Sequence, residues 1–318
     1  MAPDERYDVV VVGGGAAGLS GALALARARR RVLVVDAGTP RNAPAGHVHN
    51  VLGHEGTPPA DLLAAGRREV EGYGGEVVDG RVAALGGAEG DFGVDLTDGR
   101  SARARRLLVA TGLTDELPAL PGVAELWGRS VLHCPYCHGW EVRDRAVGVL
   151  GPGPQGPVLA LLWRQWSDDV VLLTHTGPAP APEQRELLAA RGVRVVEGEV
   201  AALDVADGAL SGVRLASGEV VAREALVVAP RFRANAELLA GLGVEPVEQV
   251  VHGAVRGTRV PADATGRTDV PGVWVAGNAG DVTAQVMAAA AHGMAAATAI
   301  NVDLVLADAR AAAGRAAA

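Results

Sequence analysis

The chain has 318 residues, 49% of them hydrophobic and 21% charged, a globular composition with room for two domains. Its net charge of −8 and the lack of a basic face argue against a nucleic-acid partner. Residues 1–6 show no secretory signal. The most apolar segment, residues 286–300, is interrupted by His292 and Gly293 and is too short to span a bilayer. We therefore expect a buried helix there, a fraying Ala-rich tail after Asp308, no membrane partner and a cytoplasmic location.

Two segments repeat a pattern of strand, glycine turn, helix and strand. The first covers residues 7–36 and contains the turn Gly13-Gly-Gly-Ala-Ala-Gly18, and the second covers residues 146–174 with the turn Gly151-Pro-Gly-Pro-Gln-Gly156. Each segment has the composition of a βαβ unit with parallel strands. The sequence therefore predicts an α/β fold of two Rossmann-like dinucleotide-binding domains.

The rest of the chain suggests how these two domains are connected. Buried strands that run into turns are predicted at residues 106–112, 226–230 and 272–277, and the Pro-rich segment 117–122 is a natural linker. We predict that the second domain, residues 120–244, is inserted in a first domain made of residues 1–119 and 245–318.

The first glycine turn has the full context of a dinucleotide site. Gly13 allows the tight turn, Gly15 lets a pyrophosphate approach the backbone, and Gly18 lets the helix pack against the strand. The helix N-terminus offers N–H groups and a positive dipole to the phosphates. Asp36 would accept hydrogen bonds from a ribose diol. The alternative is a glycine-rich structural turn.

The segment His133-Cys-Pro-Tyr-Cys-His-Gly139 is the candidate redox centre. Cys134 and Cys137 can close a small disulfide ring, and a helix N-terminus lowers the pKa of the first thiol. His138 lies four residues after Cys134, so on a helix the two would share a face and the imidazole could take a thiol proton. Three alternatives are a c-type haem attachment motif, a metal site and an inert cysteine pair. The absence of an export signal and the preceding nucleotide domain argue against haem. No second Cys/His pair completes a usual zinc spacing, and we predict no metal.

These residues together resemble the low-molecular-weight thioredoxin reductases and their dithiol-oxidase relatives, flavoenzymes that close disulfides in small natural products of the holomycin and gliotoxin type. The resemblance covers nearly the whole chain. It implies that the first domain binds FAD, that Cys137 faces the flavin, and that Cys134 exchanges with the substrate. Beside Gly13, Gly15, Gly18 and Asp36, it implies FAD contacts from Ala16, Ala17, Arg41, Asn42, Asn50, Thr111, Gly112, Gly277, Asn278 and Gln285.

Departures from the reductases favour the oxidase branch. The reductases usually have Cys-Ala-Thr-Cys followed by an acidic residue, whereas His138 follows Cys137 here, as in the dithiol oxidases. The reductases usually have Gly-Asp at the late flavin turn, where this chain has Asn278. The segment 41–56 also resembles the oxidases, in which it passes near the flavin.

The second glycine turn lacks the features of a nicotinamide site. Gly13 to Asp36 is 23 positions and so is Gly151 to Thr174, which puts a threonine where an acid would bind the ribose of NADH. No arginine for a 2′-phosphate occurs between Thr174 and Arg185. Three prolines stiffen the turn or remove N–H donors at Pro152, Pro154 and Pro157.

The sequence therefore predicts an FAD-dependent dithiol oxidase. A small dithiol would reduce the Cys134–Cys137 disulfide, electrons would pass to FAD and then to O2, and H2O2 would be released. One alternative is an NAD(P)H-dependent reductase similar to thioredoxin reductase, and another is a non-catalytic flavin redox sensor that binds a partner protein. The resemblance implies a homodimer.

Overall fold

A computed structural model describes residues 5–251 and 253–317. The prediction that residues 1–6 contain no secretory signal falls mostly on residues 1–4, which lie outside the described residues. The strands are β1 Glu5–Val12, β2 Val32–Asp36, β3 Glu76–Asp79, β4 Val82–Ala88, β5 Asp91–Leu96, β6 Ser101–Val109, β7 Leu113–Glu116, β8 Val131–Leu132, β9 Val147–Leu150, β10 Val170–Leu173, β11 Arg194–Val196, β12 Val200–Ala206, β13 Ala209–Leu215, β14 Val220–Val221, β15 Ala225–Val227, β16 Arg231–Ala234, β17 Val247–Val251, β18 Ala254–Arg259 and β19 Val273–Val275. The helices are α1 Ala16–Arg27, α2 Pro59–Gly72, α3 Val123–Leu126, α4 Pro135–His138, α5 Gly156–Trp163, α6 Pro182–Ala190 and α7 Val286–Ala317, with 3-10 helices at Glu237–Leu242 and Gly277–Ala279.

The chain divides into two compact units. Unit 1 contains the residues up to 43, residues 51–114 and the residues from 232 onward, and unit 2 contains residues 44–50 and 115–231. The sequence placed the two later boundaries at 119/120 and 244/245. They fall earlier because Leu117 and Leu120 pack on the unit 2 core, whereas Ala234 and Leu239 belong to the unit 1 core.

Unit 1 is built on a mostly parallel sheet with the strand order β3-β2-β1-β6-β5-β4, in which β19 also pairs with β6. In β1, Val10 and Val12 face one hydrophobic cluster, and Val9 and Val11 face another that includes α1 and α7. A strand buried on both faces needs apolar residues without alternation, which explains its continuous run of valines.

Helix α7 is longer than expected and does not stop at Asp308. Contrary to the expectation from the sequence, residues 286–316 are long and apolar enough to cross a membrane by length and composition. The helix is also less buried than expected, because only 28% of its most apolar window is buried. Gly293 packs so closely on α1 that a Cβ there would lie 1.9 Å from the Ala17 carbonyl oxygen. Ile300 and Leu304 are fully buried, so the first half of the helix belongs to the unit 1 core.

Unit 2 repeats the parallel arrangement with a five-stranded sheet ordered β11-β10-β9-β15-β8. A three-stranded antiparallel sheet, β12-β13-β14, follows in the chain. The helix predicted at 158–166 begins earlier, at Gly156, and ends at Trp163. Strands β7 and β16, by which the chain leaves unit 1 and returns to it, lie side by side in a sheet ordered β17-β18-β16-β7.

Candidate active site

The first glycine turn has the geometry that its sequence predicts. Gly13 has φ +107°, and a Cβ there would lie 2.4 Å from the Ala110 carbonyl oxygen. A Cβ on Gly18 would lie 1.9 Å from the Gly13 carbonyl oxygen, so only glycine allows this contact between α1 and β1. A Cβ on Gly15, in contrast, would meet nothing within 4 Å. Gly15 therefore borders open space at the start of α1, where helical N–H groups have no intrahelical acceptor.

Asp36 lies at the end of β2 and is held from two sides. Its Oδ1 accepts a hydrogen bond from the Gly14 N–H at 3.1 Å, and its Oδ2 pairs with Arg67, whose other guanidinium nitrogen bonds Asp79 at 2.8 Å. Burial opposes the charge of Arg67, but its hydrogen bonds to Asp79 and Asp36 outweigh burial and raise its pKa. Asp36 is thus held in place beside the glycine turn.

The late glycine turn forms part of the same unit. Gly277 has φ +68°, and a Cβ there would lie 2.8 Å from the Ala17 Cβ. The Asn278 amide donates to the Asp281 and Ala284 carbonyl oxygens at 3.1 and 2.8 Å. Its Oδ1 accepts from Arg41 Nη1 at 3.3 Å. An aspartate in this position would lack the two N–H donors, so the asparagine is suited to the turn that this chain forms.

The turn after β6 is closed by a residue that the sequence did not single out. Thr111 Oγ1 donates to the Asn235 carbonyl oxygen at 2.6 Å, and the Asn235 amide donates to the Thr111 carbonyl oxygen at 3.0 Å. The Asn235 N–H donates to the Gly112 carbonyl oxygen at 3.0 Å. Ala16 and Ala17 form the first turn of α1, and Gln285 immediately precedes α7.

The unit 1 residues fit the adenosine and pyrophosphate portion of FAD. The space at Gly15, the start of α1 and the Asp36 side chain supply the three features that a dinucleotide needs. Asn50 is placed differently from the other predicted contacts, because it belongs to unit 2 and donates to the Tyr136 carbonyl oxygen at 2.7 Å. The individual contacts of all the predicted residues with FAD remain predictions.

The cysteines lie at a single turn of helix in unit 2. Cys134 is the N-cap residue of α4 with extended backbone angles, and Cys137 lies within the helix. The Cys137 and His138 N–H groups donate to the Cys134 carbonyl oxygen at 3.2 and 3.1 Å. Both sulfurs are half-buried thiols. Cys134 precedes the helix as its N-cap, and the hydrogen bond from the His138 N–H holds the two residues one turn apart.

His138 is a half-buried residue in unit 2. Its Nδ1 is inaccessible to solvent and has no hydrogen-bond partner among the described residues. Burial lowers the pKa of His138 below its ordinary value, Glu141 opposes this effect, and His49 adds to it. The lowered pKa keeps the ring neutral near pH 7, as a proton acceptor requires.

The second glycine turn, in contrast, offers few donors to a phosphate. Gly156 packs on Gly151 as Gly18 packs on Gly13, with a Cβ 2.6 Å from the carbonyl oxygen. The Gly156 N–H, however, donates to the Gly153 carbonyl oxygen at 3.0 Å, and Pro157 has no N–H. The first two positions of α5 therefore lack the donors that α1 provides.

The segment after β10 folds back onto this turn. A Cβ on Gly177 would lie 1.8 Å from the Pro152 carbonyl oxygen, so the two backbones are in direct contact. Thr174 is only 3% exposed. His175 Nδ1 accepts from the Val200 N–H at 2.9 Å. The first arginine beyond this segment, Arg185, bonds the Pro180 carbonyl oxygen and Glu197, each at 3.0 Å. The segment after β10 thus packs on the second glycine turn, and a buried threonine stands at the position that Asp36 has in unit 1.

Two Rossmann-type units, one with an open dinucleotide turn and the other with a Cys-x-x-Cys turn, define a flavin-dependent disulfide oxidoreductase. The sequence profile of the pyridine nucleotide-disulphide oxidoreductases matches residues 7–297, and the chain belongs to this family. It is therefore an enzyme of the thioredoxin reductase-like type with FAD as its cofactor, and the predicted fold class is confirmed.

Curated relatives match over part of their length. Thioredoxin reductase aclD of Aspergillus oryzae is 42% identical over 153 residues, 46% of this chain and 48% of that protein. Thioredoxin reductase tcpT of Claviceps purpurea is 37% identical over 162 residues, half of each chain. The chain spans about half the length of these curated relatives.

Solved structures match over almost the whole chain. HlmI has a TM-score of 0.88 at 47% identity, covering 98% of both chains. An oxidoreductase from Agrobacterium tumefaciens has a TM-score of 0.88 at 35% identity, covering 95% of this chain and 99% of the other.

Proposed function

We propose that this flavoenzyme is a dithiol oxidase, which converts a small-molecule dithiol to a disulfide through Cys134 and Cys137 with O2 as the final electron acceptor. The observation that carries the proposal is the second glycine turn, on which the chain packs its own backbone. With Gly177 against Pro152, no donor at the first two positions of α5 and no acid at Thr174, a nicotinamide dinucleotide lacks its usual contacts. Electrons must then enter from a thiol.

The protein residues have distinct parts in the reaction. His138 takes the proton of one substrate thiol, and the resulting thiolate attacks Cys134 Sγ. The Cys134–Cys137 bond breaks, and Cys137 leaves as a thiolate. The second substrate thiol then loses its proton, and the resulting thiolate attacks the substrate sulfur that is bonded to Cys134 Sγ. Cys134 leaves as a thiolate, and the cyclic disulfide product is released. FAD, when bound, accepts the electron pair of the dithiol and delivers it to O2.

The overall reaction is balanced. The substrate loses two electrons and two protons and gains one S–S bond, while O2 gains both electrons and both protons to become H2O2. The enzyme disulfide is restored, so no nicotinamide is consumed. We expect the enzyme to act as a cytoplasmic homodimer on natural-product dithiols, as its resemblance to the dithiol oxidases implies.

The test is turnover with dithiothreitol in air. We expect one H2O2 for each O2 consumed and for each dithiol oxidised, and no turnover by the Cys134→Ser variant. A monothiol at equal thiol concentration should react much more slowly, because its second thiol is not held in place. Absence of dithiol turnover in a yellow, folded enzyme would favour the redox-sensor alternative, and NADPH-dependent disulfide reduction would favour the reductase.

A further inference from the structure

Segment 44–50 (Pro44 to Asn50) packs with the redox unit, although unit 1 residues flank it on both sides. A Cβ on Gly128 would lie 2.9 Å from the Pro44 Cβ, and Val48 is 3% exposed. Asn50 Nδ2 donates to the carbonyl oxygen of Tyr136, the residue between Pro135 and Cys137. The segment is therefore held directly against the cysteine turn.

Segment 44–50 and the cysteine turn enclose a cavity of about 130 Å³ in unit 2. The lining residues are Gly46, His47, His49, Gly128, Arg129, Leu132, His138, Glu141 and Val142. Three imidazoles, one carboxylate and one guanidinium thus face the same space. A cavity of this volume has room for several water molecules that could join them.

Within the cavity, His49 and Glu141 form a pair. His49 Nε2 lies 3.4 Å from Glu141 Oε1, and the two side chains are 19% and 39% exposed. Glu141 is three residues beyond His138, so one short stretch of chain carries both the base and the carboxylate of the pair. The mechanism above uses His138 alone and leaves this pair without a role.

We infer that Glu141 and His49 are positioning residues that carry protons to and from His138, with Glu141 stabilising the imidazolium formed when a thiol is deprotonated. His49 holds the carboxylate and links it to the more exposed His47. The inference rests on the proposed function, because it assigns the proton path for that same base.

The electrostatics support opposite effects of the two residues. Partial burial lowers the pKa of His138, the Glu141 carboxylate raises it, and the charge on His49 lowers it further. Removing Glu141 should therefore weaken His138 as a base, whereas removing His49 should raise its pKa. The two other titratable residues that line the cavity, His47 and Arg129, are present in both variants.

The experiment compares Glu141→Gln and His49→Gln with the exposed, distant Glu186→Gln as a matched control. The alkylation rate of reduced Cys134 by iodoacetamide is followed against pH, together with kcat and KM for dithiothreitol. We expect the pKa of His138, read from the pH profile, to be lower in Glu141→Gln and higher in His49→Gln than in the wild type. For Glu141→Gln, kcat should fall about three- to tenfold with little change in KM.

Partial rescue by Glu141→Asp, with a melting temperature equal to the wild type, would separate proton transfer from folding. Profiles of both variants that coincide with Glu186→Gln would overturn the proton path. Alkylation does not depend on oxidase turnover. If the wild type oxidised no dithiol, the proposed function would fail while the alkylation profiles still decided the role of Glu141 and His49.

Discussion

Nicotinamides should fail to reduce the flavin of this enzyme, and the size of the effect follows from the second glycine turn. In the first turn, Asp36 and the N–H groups at the start of α1 are in place for a ribose and a pyrophosphate. In the second turn, Thr174 occupies the position of Asp36 and is buried and uncharged. Pro154 occupies the position of Ala16, the first residue of α1, and has no N–H.

Two charge-assisted hydrogen bonds are therefore lost. Each is worth roughly 1.5–3 kcal/mol, so binding should weaken by about 3–6 kcal/mol, or roughly a hundredfold to ten-thousandfold. The contact between Gly177 and Pro152 adds a steric obstacle, because the segment after β10 would have to move before a ribose could enter.

The assay mixes oxidised enzyme with excess NADPH or NADH under anaerobic conditions and follows the flavin absorbance, with dithiothreitol in a parallel sample. We expect bleaching by the dithiol only, and return of the yellow colour with H2O2 release when air is admitted. Thr174→Asp should not restore NADH reduction, because the proline and the backbone contact remain. Rapid bleaching by NADPH without any response to a dithiol would refute the reasoning.

Three further predictions follow from the two sites. Gly15→Val should give a folded but colourless protein, because the new side chain meets open space in the protein and blocks only the pyrophosphate. Gly18→Ala should instead lower the melting temperature, because its Cβ would lie 1.9 Å from a carbonyl oxygen. A yellow Gly15→Val protein would contradict this prediction. Cys134→Ser should show long-wavelength absorbance from the remaining thiolate near FAD, and Cys137→Ser should instead trap a thiol; the reverse pattern would exchange the two roles. His138→Ala should cost about a hundredfold to ten-thousandfold in dithiol turnover. In the wild type, activity should rise with pH through the lowered pKa of His138, and this ionisation should be absent from the variant; an unchanged profile would leave His138 structural.

Much of the fold was predictable because both βαβ units carry local signals. Continuous valines in β1, a glycine turn and an apolar helix specify a buried parallel strand and its crossover without reference to distant residues. The boundaries between the units were less predictable, since the Pro-rich segment at 117–122 suggested a linker. Its leucines pack on the unit 2 core, a long-range contact that composition does not reveal.

The candidate site was predictable where chemistry depends on neighbouring residues. Cys134, Cys137 and His138 lie within five positions, so their proximity needs no tertiary structure. Asn235 and Arg67 were missed because they reach Thr111 and Asp36 from distant parts of the chain. Glu141 could have been found from the sequence, because it lies three residues after His138. Nothing local in the sequence indicates that His49 lies beside Glu141.

The two glycine turns show which part of a dinucleotide site is structural and which is functional. Gly151 and Gly156 keep the same close packing as Gly13 and Gly18, since losing it would separate the helix from the strand and weaken the unit 2 core. The groups that only a ligand would use have changed, namely the acid at the end of the second strand and the N–H donors at the helix start. A unit under constraint to fold but not to bind a nucleotide should change in this way. A binding site maintained for NADPH would have kept the donors as well, so the selective loss is itself an argument that electrons enter this enzyme from thiols.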